Sequence, residues 1–174
     1  NADQAFLCVD NVSVIATPSC NPPIDVMVVS TTSTGAIVSF SSPGGNNFYL
    51  EYGPLSFSPG TGASAGGGTV IGPIGTSPIT IPDGSLAPET IYDVYVRRDC
   101  GGGSFSPNSL PGSFKTIIGN DDAPGAYTLT VGAGCTGASY TNADATAGTN
   151  EVFPSCSGSI SAPVWFKFVA PASG

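Results

Sequence analysis

The sequence predicts an all-β protein, and three observations carry that expectation. Apolar residues alternate with polar ones over short runs, each run ends in Gly, Pro, Asn or Ser, and helical periodicity is nearly absent. The 24 glycines and 16 prolines among 174 residues approach the level of low-complexity sequence, yet they punctuate apolar runs, and 40% of the residues are hydrophobic. Many short strands joined by tight turns satisfy all three.

Taken in order, residues 1–16, NADQAFLCVDNVSVIA, hold one or two strands before the break at TPSCNPP. Residues 20–118 carry a regular series with the length of one small β-sandwich. PPIDVMVVS is the first strand, A, in which Ile24, Val26 and Val28 alternate. GAIVSF is B, with Ala36, Val38 and Phe40 on one face. NNFYLEYGP is C, with Phe48, Leu50 and Tyr52 inward and Tyr49 and Glu51 outward. The Gly-rich SFSPGTGASAGGGTVIGP is a long loop with a weak strand near Val70, and SPITIPDGSL gives E through Ile79 and Ile81. SLAPETIYDVYVRRDCGGG is F, with Tyr92, Val94 and Val96 inward, and GSFKT closes the set as G. After IIGNDDAPG a new strand set begins and stops at VWFKFVAPASG. There Trp165 is opposite in phase to Phe166 and Phe168, so partial exposure or cover by a further strand is one expectation for it and a core role the leading one.

Composition narrows the function. Charged residues are 9% of the chain against about a quarter in typical proteins, a balance common in extracellular β-proteins. A net charge of −8 argues against nucleic acid, which needs a basic footprint, and against anionic membranes. No apolar run approaches the length that spans a bilayer. The chain starts at Asn1 rather than Met and reads as a mature product or an excised segment. With no histidine, Ser-His-Asp and Cys-His catalysis and His-ligated zinc are excluded. The five cysteines form no CxxC pair, so disulfides in an oxidising compartment are the better reading.

No catalytic or cofactor site emerges. Asp121 and Asp122 are adjacent in a linker, where successive side chains diverge, whereas paired carboxyl catalysis needs two groups facing across a cleft. Calcium is the milder alternative for Asp121 and Asp122 or for Asp10 and Asn11, but Asp and Asn also cap turns through local hydrogen bonds. The glycine runs AGGGT and CGGGS lack a P-loop lysine and read as connectors. NVS at Asn11 satisfies the glycosylation sequon. The outward residues of C and F are the one suggestive face. Tyr49, Glu51, Asp93, Tyr95 and Arg97 should lie side by side on it, a mix enriched at interfaces, although sheet surfaces favour Tyr for cross-strand packing anyway.

SLAPETIYDVYVR resembles the signature of a fibronectin type III domain over about residues 20–118. The resemblance implies a tyrosine corner at Tyr92, its hydroxyl bonded to backbone just upstream, with Leu86 as the core residue beside it. Phe40 stands where that family usually has a Trp on strand B. More narrowly, CNPP…FYLEYGP…SFSPGTG…YVRRDCGGG is similar to repeats in large secreted or cell-surface multidomain proteins of Bacteroidota, in which cysteines before strand A and after strand F frame the domain. That implies a Cys20–Cys100 disulfide, and strand F running back towards the start of A agrees with it. The loop it closes would be worth roughly 4–5 kcal/mol as an upper estimate. Residues 119–174 resemble the first half of a β-sandwich of the pre-peptidase C-terminal kind, which implies a Cys135–Cys156 bridge and an incomplete domain. FLCVDNVSV resembles the closing strand of a jelly-roll, MAM-like module, or a strand donated to a neighbour. Cys8 is then left as a buried free thiol or an interchain bridge.

The expected fold is thus a fibronectin type III (Ig-like) β-sandwich, followed by a second, incomplete sandwich and preceded by a strand from another β module. The expected function is a non-catalytic extracellular structural or adhesive module of a cell-surface fibre or filament, assembled through such sandwiches and strand addition. Its partners would be other copies of itself, other surface proteins or glycans. The alternative is a glycan- or protein-binding accessory or spacer module of a large secreted hydrolase.

Overall fold

The computed structural model describes residues 20–45, 47–131, 139–147 and 162–170. Eight strands fill the first part in chain order: β1 Ile24–Thr31, β2 Ala36–Ser41, β3 Phe48–Pro54, β4 Thr69–Ile74, β5 Ile79–Ile81, β6 Ile91–Gly101, β7 Ser104–Phe105 and β8 Gly112–Lys115. β1, β2 and β5 form one sheet, in that order. The other runs β4-β3-β6-β7, with β8 paired to the first half of β6. All pairings in both sheets are antiparallel. The chain is all-β, and the two inner faces meet as a sandwich.

Inward alternation builds the core. Ala36, Val38 and Phe40 from β2, Ile79 and Ile81 from β5, Phe48, Leu50 and Tyr52 from β3, and Val94 and Val96 from β6 are buried together with Leu86 and Phe114. Phe40 packs edge-on against Phe48 with ring centres 4.8 Å apart, an aromatic pair in the core. The Tyr92 hydroxyl accepts the Ala87 N–H at 2.9 Å, which is the expected corner. Its ring stacks on Phe114 at 5.8 Å. The weak strand expected near Val70 is a full edge strand, β4, paired to β3 from Phe48 to Tyr52.

Strand β1 departs from the simple alternation. Val26 and Val28 pack on the core, but Ile24, in the same alternation, is 57% exposed. Asp25 adopts a positive φ of 54° and the β1–β2 register slips between Ile24 and Met27. A bulge of this kind adds an unpaired residue and turns the preceding side chain to the other face.

Beyond the sandwich, β9 Tyr127–Thr128 pairs in parallel with β10 Phe166–Lys167. The Trp165 N–H donates to the Asn120 carbonyl at 2.8 Å, which ties β10 to the end of the sandwich. Tyr140 packs edge-on against Phe166 at 4.8 Å. Trp165 is partly exposed, as its phase opposite to Phe166 and Phe168 allows. The side chain is 37% exposed, while Phe166 is the better covered neighbour.

Candidate functional site

Register brings the five outward residues of C and F together on one face, as their phase requires. Glu51 lies opposite Tyr95, Tyr49 opposite Arg97, and Gly53 opposite Asp93. The face is not open, however. Glu51 and Arg97 are fully buried and Asp93 nearly so, because residues 55–68 fold back over the sheet as a lid. Only Tyr49 and Tyr95 retain partial exposure. Even these are engaged edge-on, Tyr49 with Phe105 at 5.6 Å and Tyr95 with Phe57 at 5.4 Å. The contact face expected from strand phase is therefore corrected: three of its five residues are interior.

The lid is seated by charge-assisted hydrogen bonds. Arg97 Nη1 donates to Glu51 Oε2 at 2.7 Å and to Asn108 Oδ1 at 3.2 Å. Its Nη2 donates to the Ser64 carbonyl at 2.8 Å, and its Nε donates to the Gly62 carbonyl. Glu51 in turn accepts the Gly60 N–H at 2.8 Å and the Gly66 N–H at 2.6 Å. The ion pair thus spends its remaining bonding capacity on lid backbone, which is what a buried pair needs to offset its desolvation. Burial pushes the Glu51 carboxyl up, but the hydrogen bonds from Arg97, Gly66 and Gly60 and the guanidinium charge outweigh it, and the group is held below its ordinary value. Asn108 Nδ2 closes the ring by donating to the Gly60 carbonyl at 2.9 Å.

The glycines of this stretch are structural. A Cβ at Gly66 would meet Gly60 N at 2.5 Å, and one at Gly68 would meet the Tyr52 carbonyl oxygen at 2.5 Å. Only bare backbone lets the two arms of the lid touch each other and the sheet. Asp93 anchors the lid's entry by accepting the Ser56 N–H at 2.7 Å, and it also accepts the Ser113 hydroxyl at 2.5 Å, which links lid to β8.

The second half of β6 lacks a full strand partner on its β8 side, and serines supply the missing bonds. Ser106 N–H donates to the Arg98 carbonyl at 2.9 Å while its hydroxyl accepts the Arg98 N–H at 2.9 Å. Ser109 does the same for Val96, at 2.9 and 3.0 Å. Each buried ladder group is satisfied by a side-chain and backbone pair in place of a strand.

Cys20 and Cys100 form a disulfide across 80 residues of sequence. Cys8, Cys135 and Cys156, with Asp10 and Asn11, lie outside the described residues. Asp121, one of the calcium candidates, gives both carboxylate oxygens to Thr146, accepting its N–H and its hydroxyl at 2.6 Å each. Asp122 precedes the short 3-10 turn at Ala123–Gly125 without capping it through its side chain. Among the described residues no cluster of three potential metal ligands occurs, and no helix is long and apolar enough to cross a membrane. A groove of about 480 Å³ lies between the start of β1 and the loop before β8, lined by Pro22, Ile24, Asp25, Asn108, Leu110 and Pro111.

Sequence phase found the shared face but not its cover. The signal available was the pairing of an acidic residue on C with a basic one on F beside a glycine-dense loop.

No protein-family model matches the chain, and neither does any curated protein. Solved structures of similar fold include the fn3 domain of the human collagen alpha-1(XX) chain, at 22% identity over 61% of this chain and 93% of that one, TM-score 0.47. An Fn3-like protein from Clostridium thermocellum matches at 19% identity over 56% and 94%, TM-score 0.45. The FN5 domain of Drosophila Lar matches at 20% identity over 57% and 99%, TM-score 0.45. These neighbours are fibronectin type III domains at low identity.

Proposed function

We propose that the chain is a non-catalytic structural module of an extracellular, multidomain surface protein. In this reading residues 20–118 are one rigid bead in a string, residues 119–174 begin the next sandwich, and residues 1–16 close a preceding one or pair with a neighbour. The observation that supports it is the sealed outer face of the larger sheet. The carboxylates and guanidinium that would serve a ligand are instead bonded to the domain's own lid. Their chemistry is stiffness rather than recognition. The test exchanges residues 20–118, in the protein that carries them, for an unrelated disulfide-clamped sandwich of equal length. A structural role is restored by the substitute, as measured by fibre length and surface adhesion. Lost adhesion with normal surface display overturns it.

Fibre assembly by strand addition between copies is the finer form of this proposal. A purified chain that stays monomeric at high concentration in light scattering rejects that form. A second reading, recognition of a partner protein or glycan, is favoured by the groove beside Leu110, whose side chain is 86% exposed. Leu110→Ser should then weaken adhesion without changing thermal stability, and unchanged adhesion rejects it.

A further inference from the structure

The Cys20–Cys100 disulfide joins two points that decide how tension crosses the domain. Cys20 lies just before β1, and Cys100 lies near the end of β6. Strands β1 to β5 and nearly all of β6 hang in the covalent loop between them. Force entering at Cys20 passes through the S–S bond to Cys100 and leaves along residues 101–118. The core strands β1 to β5 are therefore off the load path.

What remains on the path is held in the stronger of two geometries. β8 runs antiparallel to β6, with Lys115 opposite Ile91 and Gly112 opposite Val94. The load points, Cys100 and the residues after Lys115, thus sit at opposite ends of the pairing. Pulling them apart slides the strands along each other, loading their bonds together rather than opening them one at a time. The bonds continue past β8. Thr116 N–H donates to the Thr90 carbonyl at 3.0 Å, Glu89 N–H to the Ile117 carbonyl at 3.2 Å, and the Thr116 hydroxyl to the Ala87 carbonyl at 2.7 Å. Phe114, buried against Tyr92, adds an apolar anchor inside the sheared segment.

We propose that the oxidised domain is a length-limited tether: tension can draw out only residues 101–118 of the sandwich, and the disulfide withholds the rest. The tether role rests on the structural reading above, whereas the load path follows from connectivity alone. At 3.3–3.6 Å per residue the withheld loop is worth about 26–28 nm of extended chain, and residues 101–118 about 6 nm.

The test is single-molecule extension of the 174-residue chain between marker domains, with Cys8, Cys135 and Cys156 replaced by serine so that reduction opens Cys20–Cys100 alone, oxidised and after reduction with dithiothreitol and alkylation. The oxidised chain should end about 26–28 nm shorter when fully stretched, a difference that does not require the reduced chain to fold. In the oxidised chain Phe114→Ala should lower the rupture force of the sandwich, while Ile71→Ala, in the bypassed β4, should leave it unchanged. Equal extended lengths in the two redox states overturn the proposal, as does an equal fall in rupture force for the two variants. The module-exchange experiment can fail while these traces hold, and the reverse, so the two readings are separately testable.

Discussion

Glu51→Gln probes the lid most directly, because it removes the charge while keeping the shape. The native carboxylate accepts from Arg97 Nη1 and the Gly60 N–H on one oxygen and from the Gly66 N–H on the other. A glutamine offers one oxygen and one NH2 in the same space. Whichever way the amide turns, its NH2 faces a donor, either the Gly66 N–H or the Arg97 and Gly60 pair. Arg97 is left as a fully buried cation with carbonyl partners only. Removing one partner of a buried ion pair costs about 3–5 kcal/mol, and an orphaned buried N–H costs about 1–3 kcal/mol on its own. These overlap, so about 3–5 kcal/mol is expected in total, a large share of the 5–15 kcal/mol that holds an ordinary domain together. Urea unfolding of the oxidised protein, followed by circular dichroism, measures the loss. Hydrogen exchange at Gly60 and Gly66 reports whether the lid opens before the core. A loss under about 1 kcal/mol, the range of an exposed pair, with unchanged protection at both glycines, would refute the buried, lid-sealing role.

The same carboxylate sets an acid limit. Its folded pKa is depressed, so its contribution is complete above the unfolded value near 4.3 and is lost as pH falls through the lower folded value. Stability should decline below about pH 4 in the native protein, and the Glu51→Gln variant should show a shallower acid limb in the same titration. Gly66→Ala should loosen the lid, because its Cβ would meet Gly60 N at 2.5 Å. Limited proteolysis should then cut within residues 55–68 at native temperature, and a resistant loop counts against the close approach. Tyr92→Phe removes the corner bond to the Ala87 N–H while keeping the Phe114 stack. The expected loss is about 1 kcal/mol by thermal or urea unfolding, and a neutral result would mean that water replaces the hydroxyl.

Much of the architecture was legible because the inner faces obey a period of two. Val38, Leu50, Ile79, Val94 and Val96 each recur at every second position with another core residue of their strand and are all buried, and Tyr92 makes the bond its position implies. Ile24 leaves the face of Val26 and Val28 because a bulge at Asp25 breaks that period, and a positive φ at an aspartate leaves no mark on the hydrophobic pattern. The outer face was misread for a different reason. Phase assigns a residue to one side of a sheet but does not say what lies over that side. The cover here comes from a loop whose glycines pattern reading treats as connectors. Its closure depends on backbone-to-backbone contacts at Gly66 and Gly68, which carry no side-chain signal. The serine substitutions along β6 were hidden likewise, since Ser106 and Ser109 look like ordinary loop residues.

The burial of Arg97 changes what the chain's charge can do between copies. The sequence has four basic residues against twelve acidic ones. Two of the four, Arg97 and Arg98, are buried along β6, and Lys115 is paired with Asp144 at 2.6 Å on the surface. Two copies approaching each other therefore present mostly negative charge, with few cations to meet it. Like-charge repulsion over an exposed surface is screened within about 10 Å at 0.1 M salt and within about 3 Å at 1 M. If copies associate, backbone pairing and apolar contact must supply the attraction while charge opposes it. Association should therefore strengthen as sodium chloride rises from about 0.05 to 0.5 M, across which the screening length shortens severalfold. Light scattering at fixed protein concentration measures this. Association that weakens with salt would mean that complementary charges drive it, and the lysine-poor surface described here could not be the contact.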